Sequence, residues 1–286
     1  MTEPARGVLA MIGACTIWGL SPLYYALLKH VPPLEVLSYR TLWSLVFFAA
    51  VLALQGRIVL LPRALRGGRL PVIAFAGVMI ATNWFGFIFG IQAGRAVEAS
   101  LGYYIFPLAA VLLGRLIFSE PLSVAQWLAV GLAALAVGTL TAGLGAAPWL
   151  SLLLAGTFAA YGVVKKGLDI APMVSVTAEV LLLAPLALWF ALWQGPGGLD
   201  LPTHLLLAAS GPLTATPLIL FSYAARRARY ATIGLIQYLN PTLQFLVATL
   251  VFLEPFTGWH LVAFALIWSA LAVYSAAGLR PRRAPG

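Results

Sequence analysis

Apolar stretches of about 20 residues follow one another along almost the whole chain, and nothing else limits its fold so strongly. Each is long enough to cross a hydrocarbon core of about 30 Å as a helix. Ten can be read, roughly 8–28, 34–54, 71–92, 97–118 and 123–142, then 148–164, 174–193, 203–223, 231–253 and 257–278. Of the 286 residues, 62 % are hydrophobic and 9 % charged, against about 25 % charged in soluble domains. The expected fold class is an all-α polytopic membrane protein with ten transmembrane helices. The first run leads straight into the second without a small-residue cleavage site, so it is read as a helix and not as a signal peptide.

Residues 95 to 142 return 134 positions later without a gap. Arg95, Tyr104, Pro107, Phe118, Glu120 and Pro121 fall on Arg229, Tyr238, Pro241, Phe252, Glu254 and Pro255. Leucines could match by chance in so apolar a chain; an Arg, a Glu and two prolines in one register point to an internal duplication. The chain divides into 1–143 and 144–286, five spans each. The joint, Gly143-Leu-Gly145-Ala-Ala-Pro148, is too short for a domain linker.

The net charge of +9 raises the possibility of a nucleic-acid partner, but the distribution of charge argues for membrane topology instead. With a cytoplasmic N-terminus, 14 basic residues lie on the cytoplasmic side: Arg6, Arg57, Arg63, Arg66, Arg69, Arg115, Lys165, Lys166, Arg226, Arg227, Arg229, Arg280, Arg282 and Arg283. Only Lys29 and Arg95 face outward, and Arg40 is inside a span. This is the positive-inside pattern, with both termini cytoplasmic. Five spans per half is an odd number, so the second copy must enter from the other face and the repeat is inverted. Inverted halves place a substrate site where they meet and can exchange conformations, which is the basis of alternating access.

Cys15 is the only cysteine, which excludes an internal disulfide, and no Cys/His spacing suggests a metal site. No phosphate-binding loop is present, and no cofactor is expected. Two intramembrane charges stand out. Arg40 lies about two turns into the second span, and Glu179 about two turns into the seventh, its counterpart. Such charges are costly and face a partner or a cavity. They read either as a polar network joining the halves or as a site with one cation and one carboxylate, suited to zwitterionic or polar solutes. Glu179 is the candidate proton carrier.

Polar and aromatic groups near span centres complete the candidate substrate-binding set: Trp18, Tyr24, Asn83, Tyr103, Tyr161, Thr216, Gln237, Tyr238 and Asn240, with Trp84 and Tyr104 beside them. Singly, each is more often a packing contact between helices. Pro22, Pro107 and Pro241 are the hinge or gate candidates, because a proline frees the carbonyl one turn back and bends the helix. Pro107 and Pro241 hold matching places in the repeat. Glu98, Glu120 and Glu254, at span ends, are expected to cap helices or lock loops.

Several stretches resemble the RarD family of EamA-type transporters in the drug/metabolite transporter superfamily. They are Thr16-Ile-Trp18-Gly19-Leu-Ser-Pro22, Val31-Pro-Pro-Leu-Glu35-Val-Leu-Ser-Tyr-Arg40, Asn83-Trp84, Glu98-Ala-Ser-Leu-Gly-Tyr103, and Gln237-Tyr238 with Pro241-Thr242. The resemblance covers essentially the whole chain. It implies a bacterial inner-membrane permease of two EamA repeats, and the family name carries a link to chloramphenicol sensitivity. One departure is visible. The family usually has Asn-Pro-Leu where this chain has Phe106-Pro107-Leu108, and Asn240 stands at the position matching Phe106. The expectation is that the amide has moved to the symmetry-related site.

The function expected is secondary transport of a small organic metabolite or drug, in the direction of export, coupled to protons through Glu179. The alternatives are an uncoupled facilitator and a lipid-carrier flippase of the same fold. A membrane enzyme would need clustered His, Asp or Cys, which three scattered histidines and one cysteine do not supply. The expected partners are a small-molecule solute and membrane lipid, no nucleic acid, with a monomer as the working unit.

Overall fold

Proline opens many of the helices. It stands in the first turn of five of the long ones, where its missing N–H is not needed. The computed structural model describes residues 2–119, 121–145, 147–193, 199–228 and 230–279. Over these the long helices are α1 (Glu3–Leu27), α2 (Pro33–Leu54), α4 (Leu70–Gln92), α5 (Ala96–Phe118), α6 (Val124–Leu144), α7 (Trp149–Gly167), α8 (Pro172–Trp193), α9 (Leu201–Ala225) and α12 (Gly258–Leu279). A short α3 (Leu61–Ala64) follows α2, and α10 (Tyr230–Gln237), α11 (Leu239–Leu246) and a π-helical turn (Val247–Val251) run in series before α12.

Among the described residues, nine helical segments are long and apolar enough to cross a membrane, α10, α11 and the π turn together supplying one of them. They coincide with nine of the ten expected spans. The tenth, 148–164, forms α7, which carries Lys165 and Lys166 in its last turn and is not one of the nine. Glu120, Arg229, Arg280, Arg282 and Arg283 lie outside the described residues.

The most extensive helix contacts pair up when residues 1–143 are exchanged with 144–286, although α4 against α1 and α2 has no comparable counterpart. Pairing α1 with α7, α2 with α8, α4 with α9, α5 with α10/α11 and α6 with α12, the contact of α5 with α7 has its counterpart in α11 with α1. Likewise α1 with α9 answers α4 with α7, α2 with α9 answers α4 with α8, and α2 with α8 and α6 with α12 are their own counterparts. Finer details repeat too. Among the described residues, Ser119 and Leu253 are the only non-glycines with positive φ, both 54°, and they are 134 positions apart. Lys29 sits 5.4 Å from the Phe252 ring and Lys166 5.2 Å from the matching Phe118 ring.

The halves differ at their prolines. Pro107 lies inside a continuous α5. The second copy is broken at Tyr238, so Pro241 sits in the first turn of α11 and not within an unbroken span. The break falls beside Gln237, whose carbonyl a proline four residues on would leave free.

Carboxylates tie helix starts together at one end of the bundle. Glu254 accepts from the Ala96 and Val97 N–H groups at 2.7 and 2.8 Å. Glu98, in the first turn of α5, accepts from the Leu150 N–H at 2.9 Å and pairs with Arg95. Both are the caps expected of them, and both place negative charge where a helix N-terminus favours it. Asp200 does the same for α9, and donors from Thr203 hold its carboxyl below the usual range.

At α5 against α7 the backbones nearly touch, because a Cβ on Gly102 would lie 2.8 Å from the Ser151 carbonyl oxygen. In the matching interface, a Cβ on Gly19 of α1 would lie 2.6 Å from Leu243 Cβ on α11. We expect Gly102→Ala to cost about 1–3 kcal/mol, the range for overpacking a close contact. Thermal or denaturant unfolding of the purified protein in detergent measures it, and an unchanged midpoint would contradict the close approach.

Candidate functional site

Arg40 and Glu179 do not meet; each has its own surroundings. Arg40 is 8 % exposed. Its guanidinium lies 4.1 Å from the centroid of the Trp84 ring on α4 and 5.6 Å from that of Tyr25 on α1. Its Nε donates to the Thr214 hydroxyl on α9 at 3.1 Å. None of the ion pairs among the described residues includes it. Rings within about 6 Å of a desolvated cation contribute about 2 kcal/mol or more, which offsets part of the cost of burying the charge.

Glu179 is 0 % exposed, and both its oxygens have donors. Lys165 Nζ is 2.6 Å from its Oε1, Ser175 donates to the same oxygen at 2.8 Å, and Tyr161 donates to Oε2 at 3.0 Å. Lys165 also reaches the Ser175 hydroxyl. The sequence reading took Lys165 only as a basic residue at a span end, where the structure does place it. It is the counter-charge of Glu179, brought over by the tight turn between α7 and α8.

Between the two charges runs a series of rings. Tyr25 meets Phe87, Phe87 meets Tyr103, Tyr103 meets Phe158 and Phe158 meets Tyr161, with centroids 5.8 to 6.1 Å apart. Phe106 packs on Phe158 at 4.7 Å. Tyr103, Phe106, Phe158 and Tyr161 are all only half-buried. Edge-to-face and stacked pairs at such separations are favourable beyond their burial.

The other candidates divide. Asn83 donates to the Leu154 carbonyl and the Thr157 hydroxyl and accepts from Tyr103. That joins α4, α5 and α7, and it is a structural knot as much as a ligand group. Tyr24 donates to the Leu206 carbonyl at 2.6 Å, binding α1 to α9. Trp18 packs on Phe221, and Tyr238 packs on the large core cluster. Asn240 accepts from Gln244 on its own helix at 2.9 Å, so its amide is turned along α11. Thr216 and Gln237 are half-buried. Of the hinge candidates, Pro22 is buried within α1.

Six contributors went unread in the sequence: Lys165 as a partner of Glu179, Ser175, Thr214, Tyr25, Phe87 and Phe158. Lys165 had a signal. It lies beside Lys166 and fourteen positions before Glu179 across a short turn, and a buried carboxylate needs a partner.

Residues 5–142 match the EamA-like transporter family. An uncharacterized transporter of Pseudomonas aeruginosa is 44 % identical over 278 residues, covering 94 % of this chain and 93 % of that protein. Protein RarD of Streptomyces exfoliatus is 40 % identical over 288 residues, covering 98 % and 91 %. Protein RarD of Escherichia coli is 35 % identical over 279 residues, covering 95 % and 94 %. A solved crystal structure shares the fold with a TM-score of 0.64 at 18 % identity, covering 96 % of this chain and 97 % of that one.

Removing one member of a buried ion pair strands the other. Lys165→Met should therefore cost about 3–5 kcal/mol, while Lys165→Met with Glu179→Gln should recover most of that loss. Unfolding midpoints of the two variants in detergent decide it. A double variant no more stable than the single one would contradict the pairing.

Proposed function

The chain belongs to the RarD family of EamA-type transporters, and on that premise we propose that it is a secondary active transporter moving a small organic solute by alternating access. The observation that carries this reading is the exchange symmetry of the helix contacts around a shared polar and aromatic centre. Two matching halves can adopt two mirror-related states with the same contacts traded between them. In this reading there are ten spans in two inverted repeats, with α7 as the tenth.

With the N-terminus in the cytoplasm of a bacterium, the end held by Glu254 and Glu98 faces outward. Their bonds to the starts of α5 and α7 then close the outer mouth, and solute enters and leaves this state from inside. Opening outward requires those caps to release. The solute would sit among Trp18, Tyr24, Arg40, Asn83, Tyr103, Tyr161, Glu179, Thr216, Gln237, Tyr238 and Asn240, with Pro22, Pro107 and Pro241 as the bending points.

Coupling runs through Glu179. Lys165 and a proton compete for one carboxylate, so a movement of α7 that withdraws Lys165 would load the proton, and its return would expel it. Purified protein in liposomes tests this. Under an imposed proton gradient, the wild type should concentrate solute, and Glu179→Gln should retain exchange down the gradient but lose accumulation. Accumulation by Glu179→Gln at the wild-type level would rule out the proton role and favour uncoupled facilitation.

A further inference from the structure

Resting on the transporter reading, we propose that Arg40 is the anchor for an anionic group, and that the solute is an organic monoanion with a flat apolar body, not a zwitterion. Three observations carry it. The only protein acceptor taken by the guanidinium among the described residues is Thr214, at Nε, so the N–H groups on its two terminal nitrogens have no protein acceptor there. A guanidinium presents those donors as a planar fork matched to carboxylate or sulfonate oxygens. At 8 % exposure it has little bulk water to satisfy them.

The second observation is the state of the nearby acid. Glu179 already takes Lys165, Ser175 and Tyr161, which leaves the centre with a net positive charge. A zwitterion's ammonium would have to displace Lys165 to find a carboxylate there; an anion needs only Arg40. Glu35, on the same helix as Arg40, forms no ion pair with it. The third observation is the aromatic series from Tyr25 and Phe87 through Tyr103 and Phe158 to Tyr161. Starting at the cation, it offers faces and edges to a planar body, and the Tyr103 and Tyr161 hydroxyls already donate to Asn83 and Glu179, which leaves little for a sugar-like one. Phe106 adds a ring to the same wall.

The test uses the full chain and four probes of one shape: phenylacetate and benzenesulfonate as anions, phenylacetamide as the neutral form, and 2-phenylethylamine as the cation. Thermal stabilisation in detergent reads binding. The two anions should raise the wild-type midpoint saturably, and the amide and amine should not at equal concentration. Arg40→Gln should weaken anion binding at least tenfold, with Arg40→Lys in between. Should Arg40→Gln fail to fold, Thr214→Val, which frees the guanidinium's orientation, should weaken anion binding severalfold. Equal stabilisation by the amide or amine, unchanged anion affinity in the variants, or no saturable binding of either anion would overturn the proposal.

Exchange of labelled benzenesulfonate and phenylacetamide across liposomes separates this from the reading beneath it. Exchange of the amide without Arg40-dependent anion binding would keep a transporter and discard the anion site. Arg40-dependent anion binding with no exchange of any probe would keep the site and discard transport.

Discussion

Charge inside an apolar bundle must be answered, and the way each charge is answered organises this molecule. Glu179 is buried completely and is met by an ammonium and two hydroxyls. Arg40 is nearly as deep and is met by rings and one hydroxyl. The first arrangement is closed, since both carboxylate oxygens have donors. The second is open, because aromatic faces soften a positive charge without using its N–H groups. One centre therefore contains a neutral pair and an uncovered cation, and the aromatic series lies between them.

Backbone ends obey the same constraint. Helix N-termini in lipid surroundings need acceptors, and Glu254 and Glu98 supply them from other elements of the fold. These caps join segments 52 to 158 positions apart, so satisfying local N–H groups also decides how helices from the two halves sit together. Glycine at two close crossings, Gly102 and Gly19, lets matching interfaces close to backbone contact.

Much of the fold was legible because apolar run length and the 134-residue register act at the level of whole spans. The register even foretold local geometry, since the paired left-handed residues Ser119 and Leu253 obey it. The site was less legible. Arg40 and Glu179 were found because a charge in a span is conspicuous, but their partners come from other helices, and no spacing rule relates Thr214 or Trp84 to Arg40. The pairing of Lys165 went unread because a lysine near a helix end usually reaches for the interface, whereas here it reaches the carboxylate across the turn. Phe158 was lost among many apolar residues, since its role lies in the rings beside it.

The segment from Tyr230 to Val251 is no longer a uniform rod. It is interrupted at Tyr238 and widened in a π turn at its far end, whereas its partner α5 runs unbroken through Pro107. Two members of equal length but unequal stiffness share load unequally. A stress applied to both halves would be absorbed by the compliant copy, while α5 moves as a lever. Two segments alike in register thus differ in how readily they bend.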